Sequence, residues 1–321
     1  MEENKKPRII SEQRIVLLDI IRTAAITLVI AAHIFQSFGV SLGNDFGVHN
    51  FYWGSIGGVG VTIFLILSGI VLQLKYSDKI ISYRDFILKR ISTIYPTYYL
   101  CLIVGVLLYI AYNYVVPNAL SSSAYNFFEL ITLSLTGFFA FAGAWGGPFI
   151  NTSWYIGPIV SLYFLFLPTS KLIKKNPLVG LALLFIISFI SRYILGQYNI
   201  LPNRAIDWFP LCRIFEFGLG MYLAETLEKN AWHCLDNLKA TGNGFFIAAK
   251  ISFPLFLVHA PLLPLMKYFS LHTNKIFAAL IYIIISCFIS WVIIKISDRF
   301  TNKKMLYLYS AVIITALISV S

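Results

Sequence analysis

Apolar runs of about twenty residues recur from one end of the chain to the other, and no other feature restricts its fold so severely. A helix bonds its own backbone groups, so segments of that length and polarity are read as membrane-crossing helices. The expected fold is therefore all-α, a polytopic integral membrane bundle of about nine to ten transmembrane helices. Spans are expected near 15–38, 55–75, 94–116, 153–170, 177–195, 207–226, 245–266, 276–296 and 305–321. No internal repeat and no soluble domain interrupts them, so residues 1–321 read as one membrane domain. The first run is span-length and no small-residue cleavage pattern follows it, so it is expected to stay as the first helix rather than be removed.

Topology follows from the basic residues, because lysine and arginine are retained on the cytoplasmic side. Residues 127–143, FFELITLSLTGFFAFAG, are short for a span, interrupted by Ser, Thr and Gly, and carry Glu129. If they do not cross, one side collects the N-terminal tail 1–14, the loop bearing Lys75, Lys79, Arg84, Lys89 and Arg90, the lysines at 171, 174 and 175, those at 229, 239 and 250, and the basic turn from Lys295 to Lys304. Only Arg192, Arg204, Lys267 and Lys275 then face outward; if the segment crosses, the bias disappears. We therefore expect a cytoplasmic N-terminus, with 127–143 as a re-entrant or interfacial helix. The same distribution accounts for the net charge of +11 without nucleic acid as a partner, since the cations lie between spans and not along a soluble stripe.

Several motifs exclude chemistry. The four cysteines, Cys101, Cys212, Cys234 and Cys287, have neither disulfide-framework nor metal-ligand spacing, and no metal site or bound cofactor is expected. GSIGGVGV at 54–61 lacks the Lys and Ser/Thr of a phosphate loop, and glycine for close helix packing explains it better.

What needs explaining is the stretch LLDIIRTAAITLVIAAHIF, which is apolar enough to span yet holds Asp19, Arg22 and His33. At about 100° per residue all three share one face, with Arg22 and His33 about 16 Å apart along the axis. Ionisable groups in a span almost always face a bundle interior or a water-filled cavity. A structural pair of Asp19 with Arg22 plus a hydrogen-bonded core histidine is one reading, and a site is the other. Further along, Arg213 and Glu216 stand three residues apart and can neutralise each other. His259 lies in ISFPLFLVHAPLL at a depth similar to that of His33, so the two histidines can face one cavity near the outer surface.

The succession LLDIIRTAAITLVIAAH, IFLILSGIVLQ, FILKRISTIYPTYYL, WYIGPIVSLYFLFLP, RIFEFGLG and ISFPLFLVHAPLL resembles, in order and over nearly the whole chain, the acyltransferase-3 family of membrane O-acyltransferases. The resemblance implies a multi-pass plasma-membrane enzyme that moves an acyl group, commonly acetyl, from cytoplasmic acyl-CoA to a hydroxyl of an exported carbohydrate or glycolipid. It places the family's opening motif on Leu18, Asp19 and Arg22, its first-helix histidine on His33, its Ser-Gly pair on Ser68 and Gly69, its basic motif on Arg90, and its C-terminal histidine on His259. Two positions depart from the pattern: Thr93 stands where many members have a second arginine, and Ile159 where many have a glutamate after Trp154.

On that reading Arg84, Arg90 and Ser68 bind the donor, the arginines at its phosphates, and Arg22 meets its pantetheine arm or a phosphate. His33 takes the acceptor's proton or carries the acyl group, and Asp19 holds Arg22. Arg213, Glu216 and Trp154 line or support the site. A solute transporter, or an acyltransferase-like scaffold without catalysis, also accommodates intramembrane charges and the two departures.

Overall fold

A computed structural model describes residues 15–40, 55–77, 79, 81–115, 127–142, 146–198, 205–227 and 242–299, and these residues form helices without a sheet. The principal helices are α1 (Val16–Ser37), α2 (Ile56–Tyr76), α3 (Tyr83–Val115), α4 (Phe127–Thr136), α5 (Ile156–Lys175), α6 (Pro177–Tyr198), α7 (Ile214–Thr226), α8 (Gly242–His272) and α9 (Lys275–Ser297). Seven stretches among them are long and apolar enough to cross a membrane: α1, α2, α3, α5 with its leading turn, α6, α8 and α9. The tail 1–14 and the run at 305–321 lie outside the described residues.

Two expected elements take a different form. The span at 207–226 is broken. One turn forms at Ala205–Trp208, a 3-10 turn at Pro210–Arg213, and the α-helix itself begins only at Ile214. Proline drives the residue before it out of the α region, and Phe209 is extended at φ −65°, ψ 129°. The 13 residues left for α7 rise about 20 Å, short of a hydrocarbon core. Conversely, α3 runs for 33 residues and absorbs Arg84, Lys89 and Arg90, which hydropathy assigns to a loop. Its start is capped: the Asp85 amide donates to Ser82 Oγ, which in turn donates to the Asp85 carboxylate. The first bond satisfies one backbone donor of the helix N-terminus, as the N-cap serine of an S-x-x-D box does, and the second joins the two side chains. The segment at 127–143 forms the ten-residue α4, about 15 Å long, then turns at Gly137 with φ +74°.

Glycine sets the central spacing. A Cβ on Gly69 of α2 would lie 2.0 Å from the Phe217 carbonyl oxygen of α7, and one on Gly220 would lie 1.9 Å from the Ile66 carbonyl oxygen. The two backbones therefore touch through reciprocal small residues, the usual device where lipid removes the hydrophobic drive between helices. Gly60 does the same for α1, where a Cβ would come 2.6 Å from the Ala25 carbonyl oxygen.

Proline gives the remaining joints. Pro168 and Pro261 have no N–H for the carbonyls four residues earlier, at Phe164 and Leu257. Those oxygens accept instead from Tyr83 Oη at 2.9 Å and Thr152 Oγ1 at 3.2 Å. Each broken rung so ties one helix to the next, α5 to α3 and α8 to the turn that precedes α5.

The ends carrying the lysines converge. Lys174 Nζ donates to the Ser77 carbonyl, Gln73 to Glu225, and Lys250 to Asp298, which brings the ends of α2, α5, α7, α8 and α9 together as one basic face.

Candidate active site

A cavity of about 350 Å3 lies within the bundle toward this basic face. Each wall includes a helical stripe at three- and four-residue spacing: Phe64, Ser68 and Val71 on α2; Arg90, Thr93 and Thr97 on α3; Tyr155, Ile159 and Tyr163 running from the turn before α5 into it; Ala249, Phe253 and Phe256 on α8. Arg22 reaches in from α1, and Lys250 stands on the α8 wall. The hydroxyls of Tyr155 and Tyr163 both interact with Ser68, whose own hydroxyl donates to the Phe64 carbonyl at 2.9 Å.

The cations of the cavity are held but not fully neutralised. Arg22 lies 3.9 Å from Asp19, with about a third of its side chain exposed. Arg90 donates from Nη2 to Tyr76 Oη at 2.9 Å and stacks on that ring at 5.2 Å, yet among the described residues its buried Nε has no hydrogen-bond partner. Among the described residues Arg90 has no carboxylate partner. The chemistry of such a site suits an anion.

Deeper in the bundle the two histidines meet, with ring centroids 4.9 Å apart and His259 Nε2 3.4 Å from His33 Nδ1. His33 Nδ1 is 2.8 Å from the Val29 carbonyl oxygen and His259 Nδ1 is 3.0 Å from that of Leu255. A carbonyl oxygen only accepts, so both rings carry their proton on Nδ1 when neutral. His259 Nε2 is then a lone pair facing the His33 N–H, and His33 Nε2 is the lone pair left for chemistry. His259 is fully buried, and Tyr282 Oη fixes its backbone carbonyl at 3.0 Å.

The remaining sequence candidates separate by position. Arg213 and Glu216 pair at 3.0 Å, and Arg192 of α6 joins them with Nη2 2.9 Å from the same Glu216 oxygen. Arg213 also donates to Thr62 Oγ1 at 3.0 Å. This buried cluster is none of the cavity's wall. Trp154 is buried beside the lining residue Tyr155 but does not line the cavity itself, and Arg84 is exposed on the first turn of α3. Sequence reasoning missed Tyr155, Tyr163, Lys250 and Arg192. For the two tyrosines the signal was their spacing with Ile159 on one helical face, and for Arg192 it was depth within a span.

A sequence model described as an acyltransferase domain, that of acyltransferase family 3, matches residues 15–233, over half of the chain. The chain belongs to this family. It is thus a membrane acyltransferase, embedded in a lipid bilayer by several apolar helices. The match takes in Arg22, His33, Ser68 and Arg90, whereas His259 and Lys250 of this acyltransferase lie beyond it. No curated protein and no solved structure matches the chain.

Proposed function

We propose that this acyltransferase takes its acyl group, acetyl as the first candidate, from acyl-CoA entering at the cytoplasmic basic face, and delivers it to a hydroxyl of an extracytoplasmic carbohydrate or glycolipid at the plasma membrane. The observation that carries the donor assignment is Arg90, a cavity guanidinium with an unpartnered buried Nε and no carboxylate among the described residues. A phosphate oxygen supplies the acceptor that Nε lacks, through a charge-assisted bond. Arg22 and Lys250 add positive charge on the same walls. The exchange of an expected arginine and glutamate for Thr93 and Ile159 is consistent with retained binding, because both positions line this cavity and the two changes together leave its net charge as it was.

The histidine geometry supports general-base catalysis. The acceptor hydroxyl attacks the thioester carbonyl as its proton passes to His33 Nε2. The tetrahedral adduct then collapses, the carbon–sulfur bond breaks, and the thiolate leaves with that proton. Through both steps His33 Nδ1–H stays on the Val29 carbonyl and the His259 lone pair, so the transient imidazolium is stabilised by two acceptors. His259 is on this account a positioning residue. Asp19 acts on Arg22 and stands too far along α1 to orient His33.

The test is release of CoA thiol from acetyl-CoA by purified, liposome-reconstituted protein supplied with a crude cell-envelope extract. His33→Ala is expected to lower turnover by about 10²- to 10⁴-fold, the usual share of a positioned acid–base group, with the thermal midpoint retained. Unchanged turnover would remove His33 from the chemistry. His259→Gln should lower kcat and leave the donor KM in place; a change confined to KM would move His259 from the base to the donor.

A further inference from the structure

The cavity and the histidine pair do not connect openly. Neither histidine is among the residues lining the cavity, although the deepest lining residue of α8, Phe256, stands only three positions before His259. Three aromatic rings close the gap. Phe256 packs edge-on against Phe64 at 6.1 Å and against Tyr155 at 5.3 Å, so that α2, the 3-10 turn leading into α5, and α8 each contribute one ring to the same point. The Phe256 ring also lies 6.1 Å, centroid to centroid, from the His259 ring. Phe256 is 4% exposed, Tyr155 7% and His259 0%, while Phe64 and His33 are half-buried, so the Phe256 and Tyr155 rings are the closed part of the cluster.

The turn that carries Phe256 is also short of one backbone bond. Pro254 has no N–H to give the Lys250 carbonyl, so the rung that would lock this turn to the one before it is missing. A ring in close-packed surroundings changes rotamer only when its backbone or its neighbours yield, and here the backbone is the part with a rung removed.

We infer that Phe64, Tyr155 and Phe256 form a ring constriction between the guanidinium-lined cavity and His33, and that Phe256 is the side chain that sets how long an acyl chain passes it. The second half of this statement rests on the acyl-CoA reading given above; the first half rests on the geometry alone. In its closed form the constriction keeps the base away from the aqueous cavity, where the thioester would otherwise meet water as the competing nucleophile. A thioester bearing a short acyl group needs only the Phe256 ring to swing aside. A longer chain needs room that Phe64 and Tyr155 occupy.

Two measurements on the full-length reconstituted chain decide it separately. In the first, the four native cysteines are replaced by serine or alanine, His33→Cys is introduced, and a small charged methanethiosulfonate is applied from the basic face alone. The thiol should react at least ten-fold faster when Phe256→Ala is added. Phe256→Leu, which keeps most of the bulk, should leave it protected, and Phe64→Ala provides a second opening if Phe256→Ala does not fold. Equal reaction rates in folded closed and opened proteins would overturn the constriction.

In the second, thiol release is compared for acetyl-, butyryl- and octanoyl-CoA with His33 in place. Wild type should fall steeply with chain length, and Phe256→Ala should raise the octanoyl-to-acetyl ratio at least ten-fold. An active wild type whose ratio is unmoved by Phe256→Ala overturns the length-setting role. A wild type that releases thiol from no donor overturns the acyl-CoA reading and the length-setting role with it, and the cysteine measurement then decides the constriction by itself.

Discussion

The bundle holds two arginine sites of opposite character. In one, Glu216 is clamped between Arg192 and Arg213, with Thr62 as a further acceptor, and Asp207 acts on Arg192 from nearby. Two guanidiniums and two carboxylates balance, and the Arg213 and Glu216 side chains are 1% and 2% exposed. In the other, Arg22, Arg90 and Lys250 line the cavity; Asp19 and Asp298 answer the first and last, while among the described residues Arg90 is held by Tyr76 and by no carboxylate. Intramembrane charge alone does not separate these roles. Whether the charge is already neutralised does. A charge-balanced cluster set away from the cavity offers a ligand no net charge, whereas an unneutralised cation on a cavity wall attracts an anion.

The largest effect should come from breaking the closed site. Glu216→Ala leaves two buried guanidiniums facing each other, and removing one partner of a buried pair costs about 3–5 kcal/mol. Loss of monodisperse protein in detergent, or a sharply lower thermal midpoint, is the expected outcome. Survival of that variant with an unchanged midpoint would mean that the cluster is not what holds α2, α6 and α7 together. At the open site Arg90→Ala should leave the midpoint nearly in place and raise the donor KM about 10- to 100-fold, the equivalent of a charged hydrogen bond worth about 1.5–3 kcal/mol. A fall in kcat larger than the rise in KM would instead put Arg90 against the reacting atoms.

Much of this contrast could be read before the structure. The membrane class, the pairing of Arg213 with Glu216, the shared depth of His33 and His259, and the family all follow from apolar length, helical spacing and six ordered motifs. The depth of Arg192 within a span was legible, but its partner was out of reach because it lies on another helix, 24 positions away. So was the interruption of 207–226, although Pro210 marked it: hydropathy averages over a window and does not register one missing N–H. The capping motif at Ser82 and Asp85 was legible and would have moved Arg90 from a loop onto a helix, which is what aims it into the cavity. The Phe64, Tyr155 and Phe256 constriction was beyond sequence, since it depends on which faces of three helices meet.

Two smaller tests sharpen the same distinction from either side. Thr152 belongs to the closed category, because its hydroxyl fills the carbonyl that Pro261 leaves open. Thr152→Val keeps the shape and strands that carbonyl, a loss of about 1–3 kcal/mol that a thermal scan would detect. Donor KM should not move. A shifted KM with an unshifted midpoint would show that the turn before α5 serves the ligand and not the fold.

Lys250 is the mirror case and the smallest effect. It lines the cavity, but it is also paired with Asp298 at 2.7 Å, with the two side chains 43% and 53% exposed. Exposed pairs contribute about 0–1 kcal/mol, so Lys250→Ala should leave the midpoint where it is. On the acyl-CoA reading its cost falls on binding, since a donor phosphate would compete with Asp298 for the ammonium. Lys250→Ala should then raise donor KM by about five-fold or less at low salt, and the difference from wild type should shrink as ionic strength rises and the Debye length falls to about 8 Å or below. Asp298→Asn separates the two partners: freeing the ammonium should lower KM under the same conditions. If both substitutions weaken donor binding equally, the pair acts as a structural strut between α8 and α9, and the open site rests on Arg22 and Arg90 alone.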